Sequence, residues 1–318
     1  MNVLVTGAGG FIGHHLVRHL KEAGHWVRGV DLKLPKFEAT HADDFMRVDL
    51  RQAGACLEAT RGMEWVFGLA ADMGGMGFIS HHHAAILHNN ALINLNMLEA
   101  ARLAGVERYF FSSSACVYPE HRQTETHALP LKEEEAYPAQ PQDAYGWEKL
   151  VSERLCMHYR EDYGLETRVA RFHNTYGPLG TWRGGREKAP AALCRKVAEA
   201  RLAGADHIEV WGDGRQTRSF IYISDTMEGI CRLMESDRFD PINIGTDRMV
   251  SIDQLARLVM TAAGYECDIV HVPGPQGVRG RNAHLAAMRQ ELGWSPSVSL
   301  EEGLSMTYTW IEEQVKHA

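Results

Sequence analysis

A glycine-rich turn near the start of the chain restricts its fold more than any other feature. Gly7-Ala8-Gly9-Gly10-Phe11-Ile12-Gly13 follows the β-branched run Val3–Val5 and opens a helical pattern, Phe11–Glu22. Glycines let the backbone turn sharply and approach a pyrophosphate, while the helix N-terminus offers N–H groups and positive potential. Any tight strand–helix turn favours glycine, so the pattern alone says little. Its context says more, because Asp31 ends the next strand pattern, 24 residues after Gly7. An acid at that point accepts both ribose hydroxyls of NAD and repels the extra phosphate of NADP. The turn therefore predicts an NAD-binding α/β domain, and only the nearby Lys33 leans towards NADP.

The pattern downstream agrees. Val3–Val5, Val27–Val30, Phe45–Val48, Trp65–Leu69, Tyr109–Ser112 and Thr167–Arg171 read as strands; Phe11–Glu22, Asn90–Leu103 and Trp147–Arg160 carry helical periodicity. Such alternation calls for a Rossmann-type, doubly wound parallel sheet with helices on both faces. After Asn174 the pattern changes. Tyr176–Arg186 is rich in Gly, Pro and Arg and reads as a loop, and helices return at Ala191–Arg201, Ser224–Met234, Ile252–Ala263 and Leu300–Gln314. The expected division is an NAD-binding domain of residues 1–172 plus 219–249, with a smaller mixed α/β cap of residues 173–218 plus 250–318. Phe220–Gly245 is expected to return to the first sheet.

Composition excludes several classes. The formal charge of −8 argues against generic nucleic-acid binding. Of the 33 basic residues 25 are arginine, whose two-pronged fork suits phosphate and carboxylate. Arg183, Arg186, Lys188, Arg195, Lys196, Arg215, Arg218, Arg279 and Arg281 fall almost wholly in the expected cap. A diphosphate needs two or three of them, and the rest read as solvated surface. The six cysteines lie at least 36 positions apart, with no zinc spacing and no disulfide framework. Trp65–Ala71, the longest apolar stretch, is too short to span a bilayer, and nothing at the start reads as a signal peptide. A soluble cytoplasmic protein is expected. His81-His82-His83 invites a metal reading, but adjacent helical residues splay apart and no carboxylate completes a site, so no metal is expected.

Two further constellations carry chemistry. Tyr145 and Lys149, four apart at a helix start, share one helix face, although about one chain in four of this composition holds such a pair by chance. An ammonium beside the phenol, together with a cationic nicotinamide, lowers the phenol's pKa from about 10 towards a useful base. Ser112-Ser113-Ser114-Ala115-Cys116 closes the fifth strand, at the carboxyl edge where open parallel sheets bind ligands. Residues two apart on a strand face one way, which lets Ser114 and Cys116 point at one ligand. A free cysteine is more often a small buried hydrophobe, and Cys56, Cys156, Cys194, Cys231 and Cys267 keep that reading.

Together these features resemble the extended short-chain dehydrogenase/reductases, whose sugar-nucleotide enzymes use a Ser, a Tyr and a Lys in this order. Longer blocks are similar to the GDP-mannose 3,5-epimerase branch: ADMGGMGF, SSACVYPE, PQDAYGWEKL, RFHNTYGPLGTWRGGREKAPAA, WGDGRQTRSF and PGPQGVRGRN. The resemblance implies Tyr145 as redox acid/base, assisted by Lys149 and Ser114, with Cys116 and Lys188 moving protons at carbon. It implies NAD contacts from Gly7, Gly10, Phe11, Ile12, Gly13, Asp31, Asp49, Leu50, Leu69, Ala70, Tyr145 and Lys149. Sugar-nucleotide contacts fall to Gly74, Ser114, Ala115, Cys116, Asn174, Glu187, Lys188, Ala189, Lys196, Gln216, Thr217, Arg218 and Arg281. It also implies a homodimer through the helices near 90–103 and 147–160, stretches that otherwise read as core-facing.

The implied reaction is physically coherent. Sugar C–H bonds at C3 and C5 are not acidic, but a ketone at C4 makes both α-protons removable by a modest base. The resemblance therefore implies conversion of GDP-mannose to GDP-L-galactose, with GDP-L-gulose as side product. Another sugar-nucleotide 4-epimerase or 4,6-dehydratase is the alternative within the superfamily; Ala115-Cys116 stand where the dehydratases carry Asp-Glu. A non-catalytic NAD sensor is the alternative of another class, and it predicts a broken Ser/Tyr/Lys set.

Overall fold

The computed structural model describes residues 1–318. The first half runs β1 (Asn2–Thr6), α1 (Phe11–Glu22), β2 (Trp26–Asp31), β3 (Asp44–Arg47), α2 (Ala53–Thr60), β4 (Trp65–Gly68), α3 (Met76–Ile79), α4 (His83–Ala104), β5 (Arg108–Ser114), α5 (Ala144–Tyr163) and β6 (Glu166–Phe172). It continues through β7 (Thr175–Tyr176), α6 (Ala189–Ala203), β8 (His207–Trp211), β9 (Thr217–Ser219), β10 (Ile221–Tyr222), α7 (Ile223–Glu235) and β11 (Ile242–Ile244). Seven strands form one sheet in the order β11-β6-β5-β4-β1-β2-β3, every neighbour parallel. The order reverses between β1 and β4, and open sheets bind ligands at such a point, beyond the strands' carboxyl ends.

Strand periodicity divides the core. Val3 and Val5 face α1 and α7, where Leu16, Val17, Leu20, Ile230 and Leu233 pack. Leu4 points the other way, into a layer with Cys56, Met97, Leu98 and Cys156 from α2, α4 and α5. Helix starts differ from the sequence expectation. α4 begins at His83 rather than Asn90, and α5 at Ala144 rather than Trp147. Asp143 explains the second, since its carboxylate accepts from the Gly146 N–H at 2.8 Å and fixes the N-terminus.

The remaining elements are β12 (Met249–Ser251), α8 (Ile252–Ala263), β13 (Asp268–Val272), β14 (Gly280–Arg281), α9 (Ala286–Glu291) and α10 (Leu300–Lys316). Helices α6, α8 and α10 pack on one another. Small sheets accompany them: β13 with β8, β12-β9-β14, and β10 with β7. The expected return of 220–245 is what the chain does, with β11 pairing β6 from Ile242↔Ala170 to Ile244↔Phe172.

One buried ion pair ties the layers together. Arg171 of β6 grips Glu153 of α5 through Nη2 and Nε at 2.7 and 2.8 Å, and both side chains are almost wholly buried. Removing one partner leaves a buried charge without compensation, at a cost of about 3–5 kcal/mol. Arg171→Met is therefore expected to lose about that much stability in urea denaturation, and a loss below about 1 kcal/mol would contradict the assignment.

Candidate active site

The glycine turn is built for close approach. Gly7 sits at φ 70°, a left-handed conformation that L side chains rarely adopt. A Cβ on Gly9 would lie 2.0 Å from the Lys33 carbonyl oxygen, and one on Gly13 2.2 Å from that of Gly7. Helix α1 starts at Gly10 with no side-chain cap and no acidic residue in its first turn. Its first-turn N–H groups and positive end are thus left for an anion, which fits a dinucleotide pyrophosphate. Asp31 lies alongside, its carboxylate accepting from the Gly9 N–H at 3.0 Å and the Lys33 N–H at 3.2 Å. Burial raises its pKa against those two N–H groups. Leu69 and Ala70 line the turn opposite, their N–H groups donating to the Thr6 hydroxyl. Asp49 is occupied differently, since Arg51 holds its carboxylate at 2.6 Å and lowers its pKa. Leu50 is buried beside it.

Tyr145 and Lys149 lie on α5, which packs against β5 and β6. Both are buried. The Lys149 ammonium lies 5.5 Å from the Tyr145 ring centre and 4.7 Å from that of Phe111. The expected lowering of the phenol's pKa draws on a cationic nicotinamide as well as the lysine; in the protein by itself the balance is different. Burial dominates and pushes Tyr145 well above 10, with Cys116 and Glu148 adding to the rise and only Ser114 opposing it. Burial likewise lowers Lys149.

Ser114 ends β5, and its hydroxyl accepts from the Cys116 N–H at 3.2 Å. Cys116 is not on the strand as the sequence spacing implied. Ala115–Val117 turn into a short 3-10 helix with Ser114 as its N-cap. The turn, not strand alternation, brings the thiol to the cleft. There Arg281 donates to Cys116 Sγ at 3.3 Å, and Gly146 of α5 packs so tightly on the Cys116 carbonyl that a Cβ would lie 2.2 Å from it.

The cap supplies the opposite wall. Lys188 is the N-cap of α6, half-buried, its pKa lowered by burial and raised by Cys116 across the cleft. Ala189 follows as the first helical residue. Glu187 folds back on the Gly185 N–H at 2.7 Å. Gly75 packs on the 186–187 backbone and Gly74 on the Phe78 and Arg186 side chains, and Arg186 reaches Asp72 at 3.2 Å. Asn174 sits at φ 41°, a left-handed position unusual outside glycine, held by its amide donating to the Ser219 carbonyl at 2.9 Å. Gln216 is buried with Oε1 unpartnered, Thr217 donates to the Thr126 carbonyl, and Lys196 reaches the Glu209 carbonyl at 2.6 Å.

The arginine set sorts itself by partner. Arg186, Arg195 and Arg279 are paired with carboxylates, and Arg183 and Arg215 are exposed. Arg218 and Arg281 sit side by side on β9 and β14 with no carboxylate. Arg218 donates only to the Thr217 and Val278 carbonyls, Arg281 to Gln123 and Cys116. Burial, then the neighbouring Arg281, pushes Arg218 down to about 9. Two adjacent guanidinium groups without a counter-ion make an anion site.

Comparison with known proteins agrees with this geometry. Residues 3–245 match the model of the NAD dependent epimerase/dehydratase family. The chain belongs to that family. The GDP-mannose 3,5-epimerase of Arabidopsis thaliana is 51% identical over 99% of this chain and 83% of its own. GDP-mannose 3,5-epimerase 1 of Oryza sativa subsp. japonica is 52% identical with the same coverage. Among solved structures, UDP-glucose 4-epimerase of Thermotoga maritima with UDP-glucose superposes with a TM-score of 0.89 at 28% identity, covering 99% of this chain and all of that one. NAD is the cofactor of this family, and the glycine turn with Asp31 beside it fits a dinucleotide.

Some features escaped the sequence reading. Asn90 of α4 is fully buried and clamps the Asp72 backbone through both amide atoms, fixing the loop that carries Gly74. Its helical spacing gave no hint of this. His81 and His82 cap α3 carbonyls rather than facing a metal. His14, Glu38 and His41 do converge, but the Arg18 guanidinium already sits on the Glu38 carboxylate. The arginine pair yields a direct test. Arg218→Met and Arg281→Met should each weaken sugar-nucleotide binding about 10- to 100-fold in calorimetry while leaving NAD content unchanged. Equal affinity in both variants would remove the pair from the site.

Proposed function

We propose that this chain converts GDP-α-D-mannose to GDP-β-L-galactose by inverting C3 and C5, releasing GDP-L-gulose when only C5 inverts. The observation that carries the reading is Cys116, packed with Tyr145 and accepting from Arg281, with the Lys188 amine near enough to feel its charge. Epimerisation at C4 needs only the tyrosine and a hydride carrier. A thiol beside that tyrosine and an amine within its field are one pair more than that chemistry uses. The identity to relatives bearing the 3,5-epimerase name supports the substrate.

When bound, NAD supplies the hydride acceptor at C4 and returns the hydride at the end. Gly7, Gly10, Phe11, Ile12 and Gly13 would cradle its pyrophosphate, and Asp31, Asp49, Leu50, Leu69 and Ala70 would line the rest of its site. Tyr145 takes the proton from the C4 hydroxyl as the ketone forms, held by Ser114 and favoured as phenolate by Lys149 and the cationic ring. Cys116 and Lys188 then work from opposite faces of the ring. One removes the α-proton, the C4 oxygen carries the enolate charge, and the other returns a proton from its own side. Repeating this at the second α-carbon inverts both centres. Gly74, Ala115, Asn174, Glu187, Ala189, Lys196, Gln216 and Thr217 frame the sugar nucleotide, with Arg218 and Arg281 on its diphosphate.

In this reading residues 1–172 plus 219–249 hold NAD and residues 173–218 plus 250–318 form the cap. Leu87, Leu95 and Leu103 of α4 and Trp147 and Val151 of α5 are exposed, and all but Leu87 fall in the stretches 91–103 and 147–157 that read as mostly core-facing. They support a homodimer through these helices. The six unpaired cysteines support a reducing, cytoplasmic setting, and no helix is long and apolar enough to cross a membrane.

Heavy water separates the redox step from the proton steps. Wild type with GDP-mannose should place deuterium at C3 and C5 of the recovered hexose. Cys116→Ala should still reduce bound NAD transiently, by absorbance, yet lose exchange at both carbons by about 100-fold or more; Tyr145→Phe should lose both. Wild-type exchange in Cys116→Ala would take the thiol out of the mechanism. Val151→Glu should convert dimer to monomer by light scattering, and an unchanged mass would exclude this face.

A further inference from the structure

The groups that hold the Arg218/Arg281 pair in place include no acid. Arg218 rests on the Thr217 and Val278 carbonyls, at 2.7 and 2.6 Å. Arg281 donates through Nη1 to Cys116 Sγ and through Nε to Gln123 Oε1 at 2.5 Å, which leaves Nη2 with no partner in the chain. Gln123 lies in the segment after Cys116, is only 1% exposed, and has no assigned work. Its Nε2 donates to the Tyr118 and Pro119 carbonyls, at 3.0 and 3.2 Å. These partners fix which way the amide faces. Turned over, it would set an N–H against the Arg281 Nε–H and an oxygen against two carbonyls. The Gln123 backbone acts on the same strand, its carbonyl accepting from the Arg279 N–H at 2.9 Å and the Gly280 N–H at 3.3 Å. One residue thus holds both the backbone entering β14 and the arginine that β14 carries.

We infer that Gln123 is a positioning residue, whose amide fixes the Arg281 guanidinium in the cleft without neutralising it. The inference rests on the reading of Arg218 and Arg281 as the anion site. A buried arginine is commonly held by an acid, as Arg171 is by Glu153. An acid at 123 would also hold Arg281, but it would cancel the charge that an anionic ligand needs. Its second oxygen would also face the two carbonyls that now accept from Nε2. The amide offers the same acceptor oxygen with no net charge and turns its N–H groups to those carbonyls. With Nε on Gln123 and Nη1 on Cys116, the planar fork is held at two points and keeps one free edge. Holding the guanidinium beforehand spares the ligand the cost of ordering it.

Two measurements on the full chain test this, one of them without ligand. In nitrogen–proton correlation spectra the Arg281 Nε–H should give a cross-peak protected from exchange with water, identified by its loss in Arg281→Met. In Gln123→Met that peak should collapse by exchange. A wild type without such a peak, or a variant that keeps it unchanged, overturns the inference. A double-mutant cycle with GDP then reads the consequence by calorimetry. Gln123→Met should weaken GDP binding about fivefold or more where residue 281 is arginine, and stay within about twofold in the Arg281→Met background. Equal losses in both backgrounds would mean that Gln123 supports the fold and not the arginine, and no loss in either would remove it from the site. If Arg281→Met binds GDP as wild type does, the anion-site reading fails instead, and the cross-peak alone decides whether Gln123 positions the arginine. Gln123→Glu separates aim from charge and serves also where Gln123→Met does not fold. It keeps an acceptor for Nε, so the cross-peak should persist while GDP binding weakens. Wild-type affinity in Gln123→Glu would overturn the role given to the uncharged amide.

Discussion

The grip of Arg171 on Glu153 is the contact on which the catalytic geometry rests. Glu153 lies four residues after Lys149, and the Ser113 hydroxyl donates to the same carboxylate. Ser113 is the residue before Ser114. A single carboxylate thus sets the helix carrying Tyr145 against the strand end carrying Ser114. The other side of Arg171 reaches the Tyr118 hydroxyl and the Glu133 carbonyl, and Tyr118 donates to Asn243 of β11 at 2.7 Å. The last strand of the sheet and the segment after Cys116 are therefore tied to the same node. Replacing both partners by hydrophobic residues of equal volume would give comparable stability, but it would not fix the rotation of α5 about its axis. That rotation decides whether the phenol meets the cleft.

How much of this the sequence made legible depends on whether periodicity carried it. Strands β1 to β6 and helices α1 and α8 stand where alternation and 3.6-residue spacing put them, because buried faces impose those periods. The glycine turn was legible because sterics allow few alternatives at Gly9 and Gly13. Helix α2 was missed, being short and nearly uniform in polarity along AGACLEAT. Strands β8 and β13 pair only with each other beside the cap, with outward residues exposed. Short pieces of that kind carry too few residues for a period to stand out. Asn90, Asn94 and Glu148 read as ordinary polar positions on long helices. Their burial follows from how α4 and α5 pack, which no window of one helix contains.

Charge shows the division of labour between the halves. In the sheet domain the buried Arg171 is compensated by Glu153. In the cap, Arg218 and Arg281 have no carboxylate, and neither has Lys188. Burial penalises Arg218 and Lys188 as cations. An anionic ligand is the partner that removes the penalty, so the cleft is stabilised by the molecule it is shaped to hold. Among the surface arginines of the same segment, Arg186, Arg195 and Arg279 are paired with acids and Arg183 and Arg215 are solvated, so none carries such a demand.

The residues that set this chain apart from a plain 4-epimerase sit at interruptions in the backbone. Cys116 lies on a short 3-10 helix capped by Ser114, and Lys188 is an N-cap whose side chain caps nothing. Both caps have extended backbone, φ −147° at Ser114 and −89° at Lys188, where the chain leaves one direction and enters another. A side chain at such a point is not committed to a helix stripe or a sheet face. It is free to aim into the cleft while the elements behind it stay packed. In the proposed reaction the sheet supplies the redox part, glycine turn and Ser/Tyr/Lys, as fixed scaffold, and two helix starts, one on each wall, supply proton transfer at carbon. A fold of this kind hosts different reactions because the groups that differ stand on such turns and not in the packed sheet.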